Sequence, residues 1–113
     1  MATVNVYEQY FEADGTFDGV SRKAALVMLT ADSCDGNIRY LAGVTFFPHR
    51  DEEDFAVSYD AYFEKTLYEA KGRRSKKREQ SLLESFRSDI DGIAAEHGAE
   101  VFWDRPLREA RRG

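Results

Sequence analysis

Two apolar stretches joined by an Asp-Gly reversal constrain this chain more than any other part of it. The first, Ala24-Ala25-Leu26-Val27-Met28-Leu29, is a short unbroken apolar run. Such a run is the pattern of a strand buried on both faces. In the second, Ile38, Tyr40, Ala42, Val44 and Phe46 alternate with their neighbours, and Leu41 and Phe47 add weight to the other side. Between them lies Asp32-Ser33-Cys34-Asp35-Gly36-Asn37, whose Asp-Gly pair tolerates the positive φ of a tight hairpin turn. Pro48 stops the ladder because it lacks an amide hydrogen. The reading is an antiparallel hairpin with strands at about 23–31 and 38–47.

Residues 3–12 read as a strand before this hairpin, with Val4, Val6 and Tyr10 on one side and Tyr7 and Phe11 on the other. Glu8 interrupts the first set. Asp14-Gly15-Thr16-Phe17-Asp18-Gly19 then reads as a turn or short loop, since both Asp-Gly pairs accept turn conformations. A three-stranded antiparallel meander follows from these segments.

The second half changes period. Four consecutive carboxylates, Asp51-Glu52-Glu53-Asp54, suit a helix N-terminus, where the dipole favours negative charge. Phe55, Tyr59, Tyr62, Phe63, Thr66, Leu67 and Ala70 follow at helical spacing, and Gly72 lies where a helix would end. This predicts a helix over about 52–71. Phe55, Val57, Tyr59, Ala61 and Phe63 also alternate with polar residues, so a fourth strand is the competing reading. Residues 75–97 carry the clearest helical stripe, Leu82, Leu83, Phe86, Ile90, Ile93 and Ala94. Ser75 can cap its start and Gly98 can end it. Val101-Phe102-Trp103 reads as a short last strand able to join a sheet edge, and the tail from about 105 reads as frayed. The expected fold is therefore α+β: a meander of three to four strands packed on two helices, in one domain over 1–113.

Composition supports a globular chain rather than a disordered one. Apolar residues make up 42% of the 113 residues and aromatics 13%, while 33% are charged. Cys34 is the sole cysteine, so no intrachain disulfide can form, which fits a reducing compartment. The N-terminus lacks the basic and apolar regions of a secretory leader. No stretch reaches the ~18 apolar residues of a membrane helix. A cytoplasmic location without a membrane role is the expectation.

Net charge is −5, unevenly distributed. Residues 1–70 hold 5 basic and 13 acidic side chains, residues 71–78 hold 6 basic and none acidic, and residues 79–113 hold 5 basic and 8 acidic. The middle block is Lys71-Gly72-Arg73-Arg74-Ser75-Lys76-Lys77-Arg78. A local charge reversal of this size can focus an anionic partner. If a helix starts near Ser75, its free amides add to the attraction for phosphate. Lys71, Arg73, Arg74, Lys76, Lys77 and Arg78 are thus the candidate residues for binding nucleic acid or another polyanion. A solvated turn between helices and an intracellular address signal are the competing readings. The strip lacks interleaved aromatics, Tyr68 nearby excepted, which argues against single-strand stacking. Arg105, Arg108, Arg111 and Arg112 could extend the positive surface, though a charged tail explains them as well.

The other chemistry-bearing residues form no motif. His49 and His97 stand beside acidic residues, but a tight metal site wants three or four converging ligands. Cys34 is flanked by Asp32 and Asp35, negative neighbours that do not favour the thiolate a nucleophile needs. Gly15 and Gly19 lack the context of a phosphate loop. No catalytic residue, metal ligand or cofactor is nominated. The functional expectation is a non-catalytic binding module or accessory protein acting through residues 71–78. The alternative is a protein-contact or oligomeric accessory protein using the acidic surface of residues 1–70 or an exposed sheet edge.

Overall fold

A computed structural model describes residues 2–17, 19–48, 61–104 and 106. It comprises β1 (Ala2–Phe17), β2 (Val20–Cys34), β3 (Asn37–Phe47), β4 (Tyr62–Lys71), α1 (Lys76–Glu84), α2 (Phe86–Glu96) and β5 (Glu100–Val101). The strands form a five-stranded antiparallel sheet in the order β4-β3-β2-β1-β5. The fold is α+β, as the sequence predicts, with a larger share of strand.

The central hairpin sits in the middle of the sheet. β2 and β3 pair without interruption from Ala24 opposite Phe47 to Cys34 opposite Asn37. Ala24, Ala25, Leu26 and Val27 are all buried, so this part of β2 is covered on both faces. One face packs on the helices and carries the main core, with Tyr7, Phe11, Val27, Leu29, Tyr40, Val44 and Phe46 meeting Phe86, Ile90 and Ile93. The Tyr7 and Phe86 rings meet edge to face with centroids 5.4 Å apart. Ala24, Leu26 and Phe47 form a smaller cluster on the opposite face, flanked by Tyr10 and Met28.

Four expectations need correction. First, 14–17 is not a turn: β1 runs on to Phe17 and pairs with β2 as far as Val20. The Asp14-Gly15 pair marks a register shift inside the strand. A Cβ on Gly15 would lie 2.8 Å from Ala99 Cβ, so glycine here serves close approach of the chain leaving α2.

Second, the helix expected over 52–71 is a strand where it is described. Residues 62–71 form β4, paired to β3 from Tyr62 opposite Thr45 to Lys71 opposite Asn37; residues 52–60 lie outside the described residues. A bulge explains the misleading pattern. The register shifts between Tyr40 and Leu41 of β3, leaving Leu67 as the extra residue of β4. Before the bulge, Phe63 and Lys65 share the helix-facing side with Val44 and Ala42; after it, Tyr68 and Ala70 share that side with Tyr40 and Ile38. The slip of one position breaks the period of two and imitates helical spacing.

Third, the helix over 75–97 is two helices. Ser85 breaks it with φ −105° and ψ 5°. Its hydroxyl lies 3.4 Å from the Leu82 carbonyl and 3.3 Å from the Asp89 carboxylate, offering partners other than the helical ladder. α2 ends as expected at Gly98, with φ +72°. The Gly98 and Ala99 amides donate to the Ala95 and Ala94 carbonyls, which closes a Schellman motif.

Fourth, the last strand is two residues, Glu100–Val101, pairing with Asp14 and Ala13 at the β1 edge. Trp103 then turns in with φ 51°, packs on Phe11 at 4.8 Å and donates its indole N–H to Asp91 at 2.8 Å.

Candidate anion-binding strip

The strip begins where β4 ends. Lys71 is the last residue of β4, directly opposite Asn37. Gly72 follows with φ +121°, a conformation that disfavours any side chain. Its amide donates to the Gly36 carbonyl at 2.8 Å, which ties the strip to the β2–β3 turn. Arg73 is exposed, and Ser75 caps α1, its hydroxyl accepting from the Arg78 amide at 3.2 Å. Lys76 and Lys77 are the first two residues of α1, so their amides have no partner within the helix.

Arg74 behaves unlike its neighbours. Its Nε and Nη2 donate to the two carboxylate oxygens of Glu79 at 2.9 and 3.1 Å. Glu79 is 3% exposed. Its Oε2 also accepts from the Tyr40 hydroxyl at 2.7 Å, and that hydroxyl in turn accepts from the Ser75 amide at 3.1 Å. A tyrosine from the middle of the sheet, an arginine from the linker and a glutamate from the first turn of α1 thus form one latch. Burial pushes the Glu79 carboxyl upward, but hydrogen bonds from Arg74 and Tyr40 outweigh it and hold its pKa below the ordinary value. The Glu79 contact raises the Arg74 pKa. Desolvation raises the Tyr40 pKa, with the Glu79 charge adding to it against the opposing Ser75 hydrogen bond.

Lys71, Arg73, Lys76, Lys77 and Arg78 remain exposed. Among the described residues none of the five makes an ion pair. The Arg78 guanidinium lies over the Tyr68 ring at 4.3 Å from its centroid. A shallow cavity of about 270 Å³ lies beside it, lined by Ser75, Lys77, Arg78 and Ser81. Of the six sequence candidates, Lys76, Lys77 and Arg78 lie in the first turn of α1, Lys71 ends β4 and Arg73 stands between the two elements, all five exposed, while Arg74 is engaged internally. Sequence reasoning did not name Glu79 or Ser81, and placed Tyr40 only on a strand face, not beside the strip. Glu79 had a faint signal as the first acidic residue after the strip, one position past the usual capping-box site.

The remaining candidates fall elsewhere. His97 caps α2 and stacks on Phe63 at 3.7 Å. Cys34 lies at the end of β2, its sulfur 3.6 Å from an Asp35 oxygen, beside a cavity of about 330 Å³ with Asp32, Arg39 and Glu69. Among the described residues no group of three or more His, Cys, Asp or Glu side chains could hold a metal ion. His49, the acidic run 51–54 and the arginines at 105, 108, 111 and 112 lie outside the described residues. No described helix is long and apolar enough to cross a membrane. No protein-family model matches the chain, no curated protein resembles it significantly, and neither does any solved structure.

Proposed function

We propose that this chain is a non-catalytic binding module of the cytoplasm that holds nucleic acid or another polyanion along residues 71–78. The supporting observation is the division of labour within the strip. Arg74 fastens the segment to the sheet through Glu79, and Lys71, Arg73, Lys76, Lys77 and Arg78 are left exposed without carboxylate partners among the described residues. Cations at a helix N-terminus are unfavourable without an anion, since the dipole there is already positive. A bound phosphate removes that conflict and meets the open amides of Lys76 and Lys77.

The test is affinity as a function of salt. Five phosphate contacts give a slope of about −3.5 in log K against log salt for a single strand, or roughly 100-fold weaker binding between 50 and 200 mM. The triple variant Lys76→Glu, Lys77→Glu, Arg78→Glu should abolish binding. Salt-independent binding, or a triple variant that binds as well as the parent, rules the proposal out.

A protein-contact role through the β4 edge, which has no partner strand among the described residues, finds less support. β4 carries Lys65 on the helix-facing side and a bulge at Leu67. Inward charge and bulges are devices that oppose strand addition at an edge.

A further inference from the structure

We infer that the polyanion is a single-stranded nucleic acid, and that Arg78 laid on Tyr68 is the platform for one of its bases. This deepens the polyanion reading and rests on it. Among strip residues Arg78 alone lies over an aromatic ring, with its guanidinium carbon 4.3 Å from the Tyr68 centroid. Tyr68 is itself held from behind: it is half-buried on β4, pairs with Tyr40 across the sheet and has that ring 6.3 Å away. Tyr40 is fully buried and fixed by Glu79. The support under Arg78 therefore reaches into the core.

A guanidinium lying over a ring is restrained in how it can meet a partner. The guanidinium lies over Tyr68 on one side while the residue as a whole is exposed, and we take the face away from the ring as the one open to a partner. That free face suits the flat π-surface of an unstacked base, a mode by which arginine recognises single strands. Bases inside a duplex present only their edges, so a duplex offers nothing to this face. The cavity next to Arg78, about 270 Å³ and lined by Ser75, Lys77 and Ser81, provides one cation and two hydroxyls for the adjoining phosphate. The sequence has no interleaved aromatics in the strip because the ring comes from β4 and lies beneath the arginine rather than beside it.

The experiment compares three fluorescent probes at fixed low salt: a twelve-nucleotide single strand, an abasic strand of equal length and charge, and a duplex of the same sequence. The intact strand should bind about tenfold more tightly than the abasic strand, within the range of one stacking contact. It should also bind more tightly per phosphate than the duplex. Arg78→Lys keeps the charge and removes the plane, so it should lower affinity for the intact strand to the abasic level and leave the abasic strand unchanged. Tyr68→Leu should act in the same direction by removing the support. Equal binding of intact and abasic strands overturns the inference and leaves the polyanion reading standing. So does a duplex that binds as well as the intact strand. If none of the three probes binds, the polyanion reading fails and the inference falls with it.

Discussion

Six cations in eight residues look equivalent in the sequence, but Arg74 is bonded to a buried carboxylate and Lys77 is exposed. Arg74 is 26% exposed at its side chain and donates twice to a carboxylate that is 4% exposed. Removing one partner of such a pair strands the other, whereas an exposed lysine loses little besides charge. Glu79→Gln should therefore destabilise the fold by about 2 kcal/mol, below the figure for a fully buried pair because Arg74 is partly solvated. Urea unfolding measures it; a variant as stable as the parent means that the latch does not support the fold. Arg74→Ala should lower stability while leaving the salt slope of polyanion binding unchanged. Lys77→Ala should do the reverse, reducing the slope by about 0.7. If Arg74→Ala flattens the slope, Arg74 contacts the ligand and the division drawn between the two residues is wrong.

Among the elements, β4 holds the main lesson. The central hairpin could be read because β2 and β3 keep one register over eleven opposed pairs, so burial on each face follows sequence parity. β4 could not, because Leu67 is an extra residue and parity changes across it. Phe63, Leu67, Tyr68 and Ala70 then suit a helix as well as a bulged strand. What decides between them is the free edge of β3, whose amides and carbonyls need a partner, and that is a tertiary fact. The break at Ser85 was hidden for a related reason: Leu83, Phe86, Ile90 and Ile93 keep their spacing through it. The strip's location was legible, and its latch was not, since Tyr40 lies 39 residues from Glu79. The bulge and Lys65 also yield an expectation about the β4 edge. Lys65→Val removes the inward-facing charge and should raise the weight-average mass in sedimentation at high concentration. No change on this substitution means that Lys65 does not guard the edge.

At the scale of the whole molecule, stability should respond to pH from both sides. Hydrogen bonds from Thr3 and Arg39 hold the Asp32 carboxyl below its ordinary value, and Glu79 is likewise depressed. Groups with depressed folded pKa values stabilise above the unfolded value, and that stability is lost as pH falls through the folded one. Stability should accordingly decline below about pH 4, near ordinary carboxyl values. On the alkaline side burial raises Tyr40 and Tyr62, the latter also through its hydrogen bond to Glu64. Folding then retains protons that the unfolded chain releases, so stability should fall as pH rises above about 10. Urea midpoints across the pH range check both limbs, and a flat alkaline limb contradicts the burial of the two tyrosines.

The hydrogen bond from Gly72 to Gly36 does more than anchor a loop. It joins a block of cations to the β2–β3 turn, where Asp32, Asp35, Glu69 and Arg39 line one cavity, with Arg39 paired to Asp32. The residues lining that cavity carry three negative charges and one positive, whereas the charged side chains of the strip are all positive, and at physiological salt such charges act on a mobile ion within about 8 Å. On the proposed function, a chain of phosphates arriving there would meet a torque as well as an attraction. If the proposed polyanion binds, the hairpin tip should repel one end of it and the start of α1 attract the other, which favours an orientation along the helix rather than across the sheet. On that reading the tether would give this corner of the molecule a compass bearing, which a uniformly positive patch of the same charge would lack.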